Sequence, residues 1–179
     1  MTKKEFVVFA AAMKTYFPKE GLLPSNEAMS LWYEKLKDIP YNVATAVLDK
    51  WVDTNKWPPT IAEIRELAAE IQHGEILGWA DGWEQVLRAI KTHGMYNEGA
   101  ALRSMDELTR KAVKRLGFRE ICLSENIGVD RANFRMIYEQ LADRKKVHRQ
   151  MPQELHMMID DIRNSGMIEC DDTGFKRLT

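Results

Sequence analysis

Apolar side chains recur at the helical spacing of three and four residues in nearly every segment of this chain. The spacing is most regular near the N-terminus, where one predicted helix face carries Phe6, Phe9, Ala10, Met13 and Phe17. No segment shows the sustained alternation of β-branched residues that is typical of a half-buried strand. The pattern therefore predicts an all-α fold with little or no β-structure.

Four helices are predicted within residues 1–73. Capping boxes at Thr2-x-x-Glu5 and Thr60-x-x-Glu63 begin the first and the fourth helix, because the paired side chains satisfy free backbone N–H groups. Prolines close the connections between helices. The residues predicted to face inward on the last three helices are Met29, Trp32, Tyr33, Leu36, Ala44, Val47, Leu48, Trp51, Ile61, Ile64, Ala68 and Ile71. Together these helices predict an N-terminal four-helix bundle-like domain.

Glycines at positions 74, 78 and 82 predict a hinge over residues 74–82. A C-terminal helical domain is predicted over residues 83–164. Its helical pattern restarts at Trp83, and Ser104 and Asp130 are predicted to cap two of its helices. Pro152 precedes a last amphipathic helix, and residues 165–179 are expected to form a flexible tail.

No catalytic, metal or cofactor site is predicted. None of the four histidines has a second His, a Cys or an acidic residue at a metal-ligand spacing, and no G-x-x-x-x-G-K-[ST] phosphate loop occurs. Two cysteines are too few for a disulfide framework, which favours a reduced, cytoplasmic setting. The apolar run after Lys4 is interpreted as a helix and not as a signal peptide, because Glu5 and Lys14 bracket it. No stretch is long enough to span a membrane.

Two basic clusters are candidates for weak nucleic-acid contact. Arg110, Lys111, Lys114 and Arg115 share one predicted helix face, and a second cluster lies at residues 144–149. Clustered cations bind phosphate without sequence specificity. A net charge of −1 over the whole chain argues against strong DNA binding, and solvated helix surface is the other interpretation.

The last predicted helix carries an apolar stripe within an acidic stretch of the sequence. Leu155, Met158, Ile159 and Ile162 fall at helical spacing after Pro152. Such a stripe is either part of the core or an exposed face that docks in the groove of a partner protein. The sequence leaves both interpretations open, and these four residues are the predicted partner-binding site.

Two motifs resemble a known family. The first is Leu31-Trp32-Tyr33-Glu34-Lys35-Leu36, and the second, about twenty residues later, is the stretch T-N-K-W-P-P-T-I-A-E-I that ends at Ile64. Both are similar to the N-terminal domain of the replicative-helicase loader and inhibitor proteins of phages that infect Gram-positive bacteria. The resemblance covers residues 1–72. The segments at residues 115–122, 124–126 and 131–134 also resemble a region of phage replication-gene products.

The resemblance implies a non-enzymatic adaptor in phage DNA replication. Members of the family bind a hexameric replicative helicase, hold it inactive and deliver it to an origin complex without hydrolysing ATP, so an origin-binding protein is a second implied partner. This chain is longer than the shortest family members, which hold the helicase with a disordered tail. Two alternatives stay open: a nucleic-acid-binding replication or regulatory protein that uses the basic helices, and a phage factor that captures another host protein.

Overall fold

Ten helices and no strand make up the part of the chain that the computed structural model describes, residues 1–18 and 21–168. The prediction of an all-α fold is confirmed. The helices are α1 (Lys3–Tyr16), α2 (Asn26–Leu36), α3 (Tyr41–Thr54), α4 (Ile61–His73), α5 (Trp79–His93), α6 (Glu98–Arg103), α7 (Glu107–Leu116), α8 (Phe118–Leu123), α9 (Ile127–Gln150) and α10 (Gln153–Ile168).

Both predicted capping boxes form. The backbone N–H of Thr2 donates to Glu5 Oε2 over 2.7 Å, and the N–H of Glu5 donates back to Thr2 Oγ1 over 3.3 Å. Thr60 and Glu63 repeat the same reciprocal pair at the start of α4, with the same two distances. Each box satisfies two N–H groups that would otherwise lack a partner in the first helical turn.

The helices group into two compact units, which are described separately. Unit 1 comprises Met1–Arg65 together with the chain from Arg149 as far as it is described, and unit 2 comprises Glu66–His148. A compact unit groups residues by packing, whereas a domain folds alone. The predicted division into domains at 1–73, 74–82 and 83–164 therefore stays a prediction. Of the predicted tail, residues 165–168 belong to α10, and the rest lies outside the described residues.

The core of unit 1 follows the predicted face of α1. All five of its predicted residues are buried, and Met13 is fully so. Leu36, Ala44, Val47, Leu48 and Ile64 are buried as predicted. The sequence interpretation was wrong for three others, since Trp32 and Trp51 are only half-buried and Ile71 is exposed. Trp51 instead directs its indole N–H to a surface loop, where it donates to the carbonyl of Trp57 over 2.7 Å.

The core of unit 2 is formed by α5 through α9. Trp83, Phe134 and Tyr138 form its aromatic centre, with successive ring centroids 5.3 Å and 5.5 Å apart. Aliphatic side chains from α5, α7 and α8 pack around them. Tyr138 also donates its hydroxyl proton to the carbonyl of Leu77 over 3.0 Å.

Three local predictions in unit 2 were wrong. The helix predicted from Trp83 begins at Trp79, so that Gly82 is a buried residue of α5 and not part of a hinge. Asp106, and not Ser104, caps α7, because its Oδ1 accepts from the N–H of Thr109 over 2.9 Å. Ser104 instead ends α6, a short helix that the sequence analysis missed.

The cap predicted at Asp130 was also wrong. Asp130 lies in the first turn of α9, which begins at Ile127. The Oδ1 atom of Asn126 accepts from the backbone N–H of Val129 over 3.3 Å and so satisfies this helix start. Asn and Asp are both good capping residues, and only the helix register separates the two positions.

Candidate partner-binding surface

The apolar stripe of α10 is an exposed face. Met158 and Ile162 are 58% and 64% exposed, Leu155 is 37% exposed, and Ile159 is half-buried. Met157, which the sequence analysis did not include, is 61% exposed and extends the face. Exposed apolar side chains at helical spacing on one short helix are typical of an element that docks in a groove. The structure therefore brings the four predicted residues together on one surface helix.

The start of α10 is tied to unit 1 through Arg65. The Nε–H of Arg65 donates to the carbonyl oxygen of Gln150, the last residue of α9, over 2.5 Å. Two residues separate Gln150 from Gln153, where α10 begins, and they include the helix-breaking Pro152. The ion pair between Lys37 Nζ and Glu154, at 3.9 Å, adds a weaker contact to the first turn of α10.

The same guanidinium holds three further acceptors in unit 1. It forms a two-pronged pair with Asp38, at 2.9 Å and 2.7 Å, and it also donates to the carbonyl of Lys35 over 2.6 Å. Only 13% of the Arg65 side chain is exposed. Burial alone would raise the pKa of Asp38, but the Arg65 guanidinium outweighs burial and leaves that pKa below its usual value. Arg65 therefore connects the corner between α9 and α10 to the corner after α2.

Acidic side chains border the apolar face of α10. Glu154, Asp160 and Asp161 are exposed. The carboxylate of Asp160 lies 3.6 Å from the guanidinium of Arg163, on the next turn of the same helix. An exposed pair of this kind contributes little to stability, so these carboxylates are available to a basic partner.

The predicted basic face on α7 is less basic than the sequence suggests. Lys111 pairs with Glu107 over 2.6 Å, and Glu107 also pairs with Lys145 of α9 over 2.8 Å. The ammonium groups of Lys111 and Lys145 lower the pKa of Glu107 to about 2, so this carboxylate stays charged. The i,i+4 spacing of Glu107 and Lys111 was a signal in the sequence that could have revealed the pair.

Lys114 and Arg115 are the exposed cations that remain on this face, and Arg110 is half-buried. No salt bridge between described residues involves any of these three side chains. Two exposed cations form a small phosphate-contact surface. The four predicted residues thus share α7, but one of them is neutralised.

Trp57 is a further surface residue that the sequence analysis treated only as part of a connector. Its side chain is 68% exposed, although the backbone around it is held on both sides. Its carbonyl accepts the indole N–H of Trp51, and the residue two positions later, Pro59, is buried. The amide N–H of Asn55 also donates to the carbonyl of Trp51 over 2.8 Å at the end of α3. The loop therefore presents one large aromatic side chain to solvent from a fixed backbone.

Within the described residues, no three His, Cys, Asp or Glu side chains gather as a metal site would require. Membrane-crossing length and apolarity are likewise not found together in any helix of that part of the chain.

Residues 1–65 match the family model for the N-terminal domain of the phage gene 39 protein. That protein is the helicase loader and inhibitor of phage SPP1. The family resemblance inferred from the two motifs is thereby confirmed over these residues. No curated protein and no solved structure matches the chain significantly. The matched segment ends at Arg65, so α10 and nearly all of unit 2 lie beyond it.

Proposed function

We propose, from the match of residues 1–65 to the N-terminal domain of the phage helicase loader and inhibitor, that this protein is a non-enzymatic adaptor of phage DNA replication. It binds the hexameric replicative helicase, holds it inactive and loads it at the origin in the host cytoplasm. An origin-binding protein is its second partner. The observation that carries the proposal is the family match, and the exposed face of α10 supplies a surface for the contact.

The face of α10 suits an adaptable protein contact. Two of its exposed side chains, Met157 and Met158, are unbranched and flexible, and methionine adapts to grooves of varied shape. Ile162 adds a β-branched side chain that loses little conformational entropy on binding. The carboxylates beside this face favour approach to a basic groove on the helicase.

The test is the affinity of the full chain for the purified helicase hexamer. The double substitution Met158→Asp with Ile162→Asp should weaken binding at least tenfold, which is about 1.4 kcal/mol, because two charged groups would be buried against an apolar groove. Both side chains are mostly exposed, so thermal melting should hardly change. Met136 and Val129 of α9 are exposed to similar extents, at 56% and 52%, and Met136→Asp with Val129→Asp provides a matched control.

The outcomes separate the function from the surface. Failure of the unaltered protein to bind the helicase at any salt concentration contradicts the proposed function. Normal binding by a folded Met158/Ile162 variant leaves the function standing and removes α10 as the contact. A large drop in melting temperature for that variant, but not for the Met136/Val129 control, would show that the stripe is part of the core.

The alternative of direct nucleic-acid binding rests on the exposed cations of α7. Charge reversal at Lys114 and Arg115 should then weaken DNA binding for all sequences alike and flatten its salt dependence, since fewer counterions would be released. Steep salt dependence of DNA binding, together with no capture of the helicase, would favour this second function over the first.

A further inference from the structure

Trp57 combines exposure with a backbone that is already ordered. The hydrogen bond from Trp51 reaches its main-chain carbonyl, so the contact fixes the loop without using the Trp57 side chain. Pro58 limits the backbone further, and Thr60 begins α4 with a complete capping box directly afterwards. A partner that covers this indole therefore does not have to order the loop, and this ordering cost is a major term opposing association. Tryptophan is also among the residues that contribute most at protein interfaces.

The charges around Trp57 favour a protein partner over nucleic acid. From residue 50 to residue 63 the sequence holds two basic side chains, Lys50 and Lys56, and two acidic ones, Asp53 and Glu63. Phosphate binding requires clustered cations, and this stretch is electrically balanced. An uncharged surface with one projecting aromatic ring fits an apolar pocket on a folded protein.

The position of Trp57 relates it to α10 within unit 1. Helix α4 rises about 8 Å from its N-cap, Thr60, to Arg65, and the Arg65 guanidinium holds the carbonyl of Gln150 just before α10. Trp57 lies three residues before Thr60. The indole and the base of α10 are thus tied to the first two turns of one helix. A typical protein interface covers about 800 Å² on each partner, roughly 30 Å across, which is wide enough for both.

We infer that Trp57 is a second contact of the helicase-binding surface and seats its indole in an apolar pocket of the same helicase that takes α10. This inference rests on the proposed function and extends it from one helix to a two-part surface. Arg65 is the positioning residue, because it sets the separation between the rigid indole and the base of the helix. The two parts are not equivalent: the Trp57 loop is fixed, whereas the methionine-rich face of α10 adapts.

Two measurements on the full chain test the inference. The first is helicase affinity after Trp57→Ala, which should fall at least tenfold. The Trp51 hydrogen bond goes to main-chain oxygen and survives the substitution, so the melting temperature should stay within a few degrees of the parent. Tyr96, which is 90% exposed in unit 2, provides the matched control: Tyr96→Ala should bind within twofold of the parent.

The second measurement is hydroxyl-radical oxidation of Trp57 in the unaltered protein, read by mass spectrometry with and without the helicase. The inference requires Trp57 to be oxidised readily in the free protein and protected in the complex, and this readout decides the matter even if Trp57→Ala folds poorly. Unchanged oxidation in the complex overturns the inference. If the Met158/Ile162 variant still loses affinity in that case, the proposed function survives. If the unaltered protein does not bind the helicase, both fall together.

Discussion

Gly82 offers a direct test of the packing of unit 2. It lies inside α5 and is buried, and a Cβ atom built on it would sit 2.8 Å from Tyr138 Cε2 and 2.9 Å from Thr109 Oγ1. Phe134 Cζ would be 3.3 Å away. Carbon atoms in contact prefer about 3.5–4.0 Å, so a methyl group here has no space. Gly82→Ala must therefore push α5 away from α7 and α9.

The magnitude follows from three opposing effects. Overpacking of a close-packed core costs about 1–3 kcal/mol, and two contacts under 3 Å place this case in the upper part of that range. Movement of Thr109 or Tyr138 also strains the hydrogen bond that each makes, to Asp106 and to the Leu77 carbonyl, at about 1 kcal/mol. The better helix propensity of Ala offsets about 1 kcal/mol. The net expected loss is about 2–3 kcal/mol, or a fall in melting temperature of roughly 5–10 °C.

The assay is thermal and urea unfolding followed by circular dichroism. Gly99→Ala is the matched control, because Gly99 is an exposed glycine of α6 whose added Cβ would meet only Arg103 Nη1, at an ordinary 3.5 Å. That variant should be as stable as the parent or slightly more stable. A Gly82→Ala variant at or above the stability of the parent would refute the close packing. It would restore the interpretation of Gly82 as a hinge residue.

Three further predictions concern charge, position and boundaries. Burial alone would raise the pKa of Asp106, but hydrogen bonds from Thr109 and Gln85 hold it below its usual 3.8. The stabilisation is therefore complete above about pH 4 and is lost as the pH falls through the folded pKa, so the stability gap between parent and Asp106→Asn, measured by urea unfolding, should narrow in that range. Arg65→Lys should speed amide hydrogen exchange in the first turn of α10, because one ammonium cannot serve four acceptors. Limited proteolysis should cut first between Gly74 and Gly78, with fragments identified by mass spectrometry, and cleavage at Gly82 would contradict its burial.

Local signals in the sequence were sufficient where the cause is local. Thr2 and Thr60 begin helices because each has a Glu three residues later, and that pairing needs no information from the rest of the fold. The apolar face of α1 was likewise predictable, because five residues at one spacing leave only one way to bury them. Register and type of element follow from such patterns alone.

Signals failed where the cause lies in another part of the chain. Gly82 resembles a hinge in sequence, and only the rings of α9, more than fifty residues later, show why no side chain fits there. The stripe on α10 has the same spacing as the face of α1, and the sequence alone could not tell whether anything covers it. Asp106 was missed as a cap because Ser104 and Glu107 form an equally good capping pattern in a different register.

Arg65 shows why the matched domain and the rest of the chain have to be considered together. It is the last residue of the family match, and three of its four acceptor contacts lie within that match, at Asp38 and Lys35. The fourth, Gln150, is 85 residues further along. A buried guanidinium left with an unfilled donor loses part of its stabilisation, so the N-terminal unit has a physical reason to hold the base of α10 in place. If α10 contacts the helicase, removal of residues 149–179 should therefore affect the neighbourhood of Arg65 as well as the affinity, and binding data for residues 1–65 alone would underestimate what this domain does in the full chain.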